Sequence, residues 1–269
     1  MAKAVTILAE EGFSHIELSG GTRYLSSPEK ELLKLKEKYS LHFLCHNYFP
    51  APEKDFVLNL AAEEEEVFQL SKQHILRAIQ LSEQLGASKF GFHAGFLINI
   101  PVNQVGKSIS RQQLADREKA MERFCNAFTE LGKSGKNVKL YIENNVLSEE
   151  NYRNYNAINP FFITDFAGYR EFRERISFLP LLDVAHLKVS VNTLKLDFEK
   201  ELHLFFEETD YIHISDNDGK RDSNNWFSEK SELYKSLKQL NWKNKTVTLE
   251  VYDGMEKLKE SYNNVMSLF

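Results

Sequence analysis

Two patterns of apolar positions alternate along the chain. In one, apolar residues recur every three or four positions, as on one face of a helix. In the other, short continuous apolar runs end in a polar residue or a glycine, as in strands buried on both faces. The helical pattern covers residues 2–11, 28–39, 63–85, 112–132, about 165–175, 197–207, 228–240 and 254–268. The strand pattern covers 14–21, 41–49, 88–95, 138–145, 178–186, 210–218 and 246–253. The stretch 63–85 is the clearest helix. It carries Val67, Leu70, Ile75, Ala78, Ile79, Leu81 and Leu85, and Gly86 stops it. Ser27-Pro28 opens the helix at 28–39 as a cap and first-turn pair.

Regular alternation of strand and helix implies right-handed βαβ units and a parallel sheet. Both a doubly wound sheet and a closed barrel fit. A barrel is favoured because ionisable residues gather at the C-terminal ends of the strands: Glu17, His46, His93, Glu143, Asp183 with His186, His213 with Asp216, and Glu250. In a barrel these ends meet at one mouth, where active sites are built. Seven strands are expected where a full barrel has eight, because the chain starts in a helix. The expected fold is a (β/α) TIM-type barrel lacking its first strand, a single domain over residues 1–269. Its seam lies open beside the strands at 14–19 and 246–252, and a second copy of the chain is expected to cover those edges.

Crowded carboxylates repel one another, and their burial is costly. A divalent cation relieves both costs, and mixed carboxylate and imidazole ligands suit zinc, manganese, cobalt or iron, or magnesium with more water. Any one histidine on an apolar strand is ordinarily a packed core residue. Compatible ligands at the same end of six strands are a different observation. A net charge of −5 and a pI near 6.0 argue against general nucleic-acid binding. Cys45 and Cys125 make neither a disulfide framework nor a thiolate zinc site. No apolar run is long enough to span a bilayer, and the N-terminus lacks signal-peptide regions, so a cytoplasmic location is expected. Two long loops flank the strand ends. Residues 96–110 are a candidate lid. In the other, Tyr152, Tyr155, Phe161 and Phe162 are candidates for stacking on a sugar, although packing over the rim is the better reading. Lys188, Lys220 and Arg221 are candidate phosphate ligands, or ordinary surface charges.

The run NLAAEEEEVFQLSKQHILRAIQLSEQLGASKFGFHAG at 59–95, IENN at 142–145, LLDVAH at 181–186, HISDNDG at 213–219 and LEV at 249–251 resemble the xylose-isomerase-like barrel superfamily, which includes D-tagatose 3-epimerase, inosose dehydratase and endonuclease IV. The resemblance implies one divalent metal ion (manganese, zinc, magnesium or cobalt) held by Glu143, Asp183, His213 and Glu250. It implies that Glu143 and Glu250 exchange a proton with a carbon next to a carbonyl, through an enediolate, while His186 hydrogen-bonds a substrate oxygen. Glu17, His46, His93 and Asp216 are expected to face the substrate; His46 and His93 also match two further zinc ligands of endonuclease IV. After HISDNDG many relatives carry an aspartate and, two residues on, a histidine. Here Asp222 is kept and Asn224 replaces the histidine, which places a trinuclear zinc site in doubt. The implied activity is a sugar or sugar-phosphate isomerase or epimerase acting on a small carbohydrate, without nucleic acid or membrane partners. The alternatives are an abasic-site endonuclease, an inosose-dehydratase-like lyase and a non-catalytic metal-binding barrel.

Overall fold

The computed structural model describes residues 1–21 and 23–269, and among them the seven expected strands are present. They are β1 His15–Leu18, β2 His42–His46, β3 Lys89–His93, β4 Lys139–Glu143, β5 Leu179–Asp183, β6 Tyr211–Ile214 and β7 Thr246–Leu249. The helices are α1 Ala2–Glu10, α2 Pro28–Tyr39, α3 Glu65–Leu85, α4 Arg117–Leu131, α5 Glu149–Asn154, α6 Phe166–Arg173, α7 Val184–Leu194, α8 Phe198–Glu208, α9 Glu232–Leu237 and α10 Met255–Met266. By internal contacts the chain divides into two units. One comprises residues 1–105 and 114–141, the other 106–113 and 142–269, and the boundary falls within β4.

In the first unit the strand order is β1-β2-β3-β4. β1 pairs in parallel with β2 from His15↔His42 to Leu18↔Cys45, and β2 pairs with β3 at Cys45↔Phe90 and His46↔Gly91. Helix α4 packs over β3 through a cluster of Phe92, Phe124 and Phe128, with ring centroids 6.1–6.4 Å apart. Helix α3 ends as the sequence requires: Gly86 adopts the left-handed conformation at φ 72° and returns its N–H to the last turn. Helix α4 starts at Arg117, later than the periodicity suggests, because the Asp116 carboxylate caps it by accepting from Lys119 N at 3.0 Å. Gly95, just past β3, has no room for a side chain; a Cβ there would lie 2.7 Å from Ala61 Cβ and 2.8 Å from Asn59 Oδ1.

In the second unit the order is β4-β5-β6-β7, with parallel registers Asp183↔His213 and Ile214↔Leu249. β1 and β7 stand at the two ends of the strand order, as the missing first strand anticipates. Residues 106–113 lie along α5. Asn151 Oδ1 accepts from Ile109 N at 2.8 Å, Asn151 Nδ2 donates to the Lys107 carbonyl at 3.2 Å, and Tyr155 Oη donates to the Ser110 carbonyl at 3.1 Å. In the aromatic loop Tyr155, Phe161 and Phe162 are buried, so the packing reading holds for them.

Four elements, β5, α7, α5 and α9, depart from the sequence reading. The strand expected over 178–186 stops at Asp183, and α7 follows at once. Eight of the eleven α7 residues are buried, so the helix has no polar face to give it a period. Helix α5 is too short to show one. The helix expected over 228–240 contracts to six residues capped by Ser231.

Leu70, on the expected apolar face of α3, is 38% exposed, whereas Phe124 is fully buried. Phe124→Ala should therefore lower unfolding free energy by about 3–5 kcal/mol, and Leu70→Ala by well under about 1.5 kcal/mol, as measured by urea denaturation.

Candidate functional site

The second unit brings together most of the acid and imidazole groups at its strand ends. Glu143 closes β4, Asp183 closes β5, His213 lies in β6, and Glu250 follows β7, its N–H donating to the Ile214 carbonyl at 3.1 Å. His213 Nδ1 is 3.5 Å from Glu143 Oε1 and 3.3 Å from Glu250 Oε1. Glu143, Asp183 and His213 each offer an atom within 4.8 Å of the others. Glu143 is 1% exposed, Asp183 and His213 are sealed, and the Glu250 side chain is 18% exposed.

Local structure sets each position. Asp183 is the last strand residue and the N-cap of α7: its Oδ1 accepts from His186 N at 2.7 Å. The cap puts His186 on the first turn of a helix and not on the strand that the sequence pattern suggests. Its Nδ1 donates to the Asn144 carbonyl at 3.0 Å, its Nε2 is 3.3 Å from Asp222 Oδ2, and Glu143 Oε1 lies 3.8 Å from Nδ1. A carbonyl only accepts, so Nδ1 carries a proton.

Burial pushes the Asp183 carboxyl up, and the charges of Asp222, Glu143 and Glu250 add to the shift against an opposing pull from His186. For His186, burial favours the neutral ring, but Asp183, Asp222 and Glu143 together outweigh it and hold its pKa well above the ordinary value. Asp183 Oδ2 is buried without a hydrogen-bond partner. An orphaned carboxylate oxygen beside a second buried carboxylate and an imidazole is what a divalent cation would satisfy, and the donor set suits one. The residues present thus fit a metal ion.

The first unit holds Glu17, His46 and His93. His46, buried, ends β2, and His93, half-buried, ends β3; their rings meet edge-on with centroids 6.0 Å apart. Glu17 is half-buried in β1. Burial pushes the adjacent Cys45 thiol up to about 12, in keeping with a packed, protonated side chain.

Asp216 is engaged elsewhere in the second unit. Its carboxylate receives Lys188 Nζ at 2.6 Å, and its backbone forms an antiparallel bridge with Asn225. Lys188, a candidate for phosphate, directs its charge there and to the Asn217 carbonyl. Asn224 Oδ1 accepts from the Ser215 hydroxyl at 3.0 Å. Asp222 is the group that sequence reasoning undervalues. The resemblance marks it as kept but gives it no role, and only the position of His186 on α7 brings the two together.

The profile of the xylose isomerase-like TIM barrel family matches residues 5–266. No curated protein matches the chain by sequence. Among solved structures, a D-tagatose 3-epimerase-like protein is similar over 100% of this chain and 92% of its own, with 16% identity and a TM-score of 0.74. D-psicose 3-epimerase from Clostridium cellulolyticum, solved with D-tagatose, is similar over 99% of this chain and 92% of its own, with 12% identity and a TM-score of 0.62. Endonuclease IV from Thermus thermophilus gives 16% identity and a TM-score of 0.60 over 99% of this chain and 92% of its own. At such identities these likenesses speak for the fold alone. With seven parallel strands among its described residues, the chain belongs to the xylose isomerase-like TIM barrel family.

Proposed function

We propose that the protein is a divalent-metal-dependent sugar or sugar-phosphate isomerase or epimerase, working as one barrel domain, with its cation held by Glu143, Asp183, His213 and Glu250. The observation that carries this reading is the convergence of buried Glu143, Asp183 and His213, with Glu250 3.3 Å from the same imidazole. Epimerases among the structural relatives support it, as does the family match across residues 5–266. Bound there, manganese, zinc, magnesium or cobalt supplies positive charge that lowers the cost of negative charge developing on substrate oxygens.

The chain's own groups do the rest. Removing a proton from a carbon next to a carbonyl needs a positioned base, and returning it needs the same group or a second one. Glu250, the most exposed of the four, is the carboxylate best placed to meet a substrate carbon, and Glu143 is its deeper counterpart. Asp183 is anchored by its capping bond and serves to hold charge, not to move protons. His186 hydrogen-bonds a substrate oxygen through Nε2, which requires Asp222 to share or release that nitrogen. Glu17, His46 and His93 remain proposed substrate contacts; Asp216 would have to part from Lys188 to join them.

A second reading, an endonuclease IV-like nuclease, draws on the His46–His93 pair and the endonuclease IV likeness. The bound Asn224 amide and the net charge of −5 count against it.

Metal analysis of the purified protein should find about one divalent ion per chain, lost in Glu143→Gln and in Glu250→Gln; a metal-free wild type that takes up no added manganese would remove the proposal. With manganese present, at least one compound in a panel of ketoses, aldoses and their phosphates should be converted with solvent deuterium entering next to the carbonyl. Glu250→Gln should cut that rate by about 10²–10⁴-fold. Abasic duplex DNA should stay intact under the same conditions, and nicking would favour the nuclease.

A further inference from the structure

Buried Asn144, one residue beyond Glu143, has four polar groups, and all four reach the segment 181–186. Its backbone N–H donates to the Leu181 carbonyl at 3.4 Å, and its carbonyl accepts from His186 Nδ1 at 3.0 Å. Its side-chain Oδ1 accepts from Asp183 N at 2.8 Å, while Nδ2 donates to the Asp183 carbonyl at 3.0 Å. The side-chain amide thus takes the place of a strand partner for both backbone groups of Asp183, at the point where β5 turns into α7. Neighbouring Asn145 is also buried but looks elsewhere: its N–H and Nδ2 donate to the carbonyls of Ile163 and Phe162, each at 2.9 Å.

We propose that Asn144 is a positioning residue that fixes Asp183 and His186 in one rigid step relative to Glu143. The inference rests on the proposed metal site and deepens it. Asp183 Oδ1 is committed to capping α7, so where Oδ2 points depends on how the Asp183 backbone is held. That backbone is held at both polar atoms by one side chain. Only a carboxamide offers an acceptor and a donor at this separation. An aspartate of the same shape would set an oxygen against the Asp183 carbonyl and add a further carboxylate to the cluster, and a glutamine would overshoot by a methylene. Supports behind metal ligands commonly govern affinity this way.

The test titrates manganese alone into the full-length, metal-free chain as wild type, Asn144→Ser and Asn145→Ser, with thermal unfolding and the imidazole nitrogen resonances of His186 recorded for each. Both substitutions should lower Tm to a similar extent, since each removes a buried amide. Only Asn144→Ser should weaken manganese binding, by about 10–100-fold, and only Asn144→Ser should shift the His186 resonances in the metal-free protein. Should Asn144→Ser fail to fold, Asn144→Asp carries the same expectation. Unchanged manganese affinity in the Asn144 variant, or an equal loss in Asn145→Ser, would overturn the inference while leaving the metal site intact. A wild type that binds no manganese sinks the metal reading instead, and the His186 resonances then decide alone whether Asn144 fixes that segment.

Discussion

Buried like charge is the constraint around which the second unit is organised. Glu143 and Asp183 are both almost fully removed from water, Glu250 stands beside the same imidazole, and Asp222 reaches His186. In a low-dielectric setting such a group of carboxylates is costly unless positive charge or protons answer it. The chain supplies one answer itself, the His186 ring, whose environment favours the charged form. One imidazole cation cannot balance that many carboxylates; burial first, and the charges of Asp222, Glu143 and Glu250 after it, push Asp183 toward its neutral form.

The helix start at Asp183 shows how few elements hold the group. One carboxylate oxygen closes the first turn of α7 and the other stays within the acid–imidazole cluster, so strand end, helix cap and candidate ligand are the same residue. Because α7 begins there, His186 turns back over the Asn144 carbonyl instead of continuing along a strand. Parallel register does the remaining alignment: Asp183 pairs with His213 across β5 and β6, which sets the two side chains on neighbouring strands at the same height. The long polar side chains are thereby placed by backbone pairing and one cap, elements with little freedom to drift.

What is legible in the sequence follows from the same physics. Strands β2 to β6 are apolar runs that end in a histidine or an acid, or carry one near the end, so a run that stops on an ionisable residue announces both the strand and the candidate ligand. The seven strands among the described residues are readable because amphipathic helices, α1 among them, set the apolar runs apart. Helix α7 is not readable: with Val184, Ala185, Leu187, Val189 and Val191 all buried, its sequence looks like more strand. The same apolar run hides the true position of His186. Asn144 and Asp222 are opaque for a different reason. Their partners lie 39 and 36 positions away, and no local spacing encodes a contact that only the fold creates.

The surrounding charges show a further division of labour. Lys188 lies on α7 only two residues past His186, close enough in sequence to be mistaken for part of the same constellation. Half a turn of helix separates residues two apart, so the two side chains leave α7 in different directions. His186 points to Asp222 and Glu143, whereas Lys188 is drawn to Asp216 and the Asn217 carbonyl. Asn217 in turn donates to the Ala185 carbonyl and accepts from Gly219 N, which ties the loop after β6 to the start of α7. The lysine therefore acts as a structural counter-ion that keeps Asp216 occupied, and the negative charge left to the cluster belongs to Glu143, Asp183, Asp222 and Glu250.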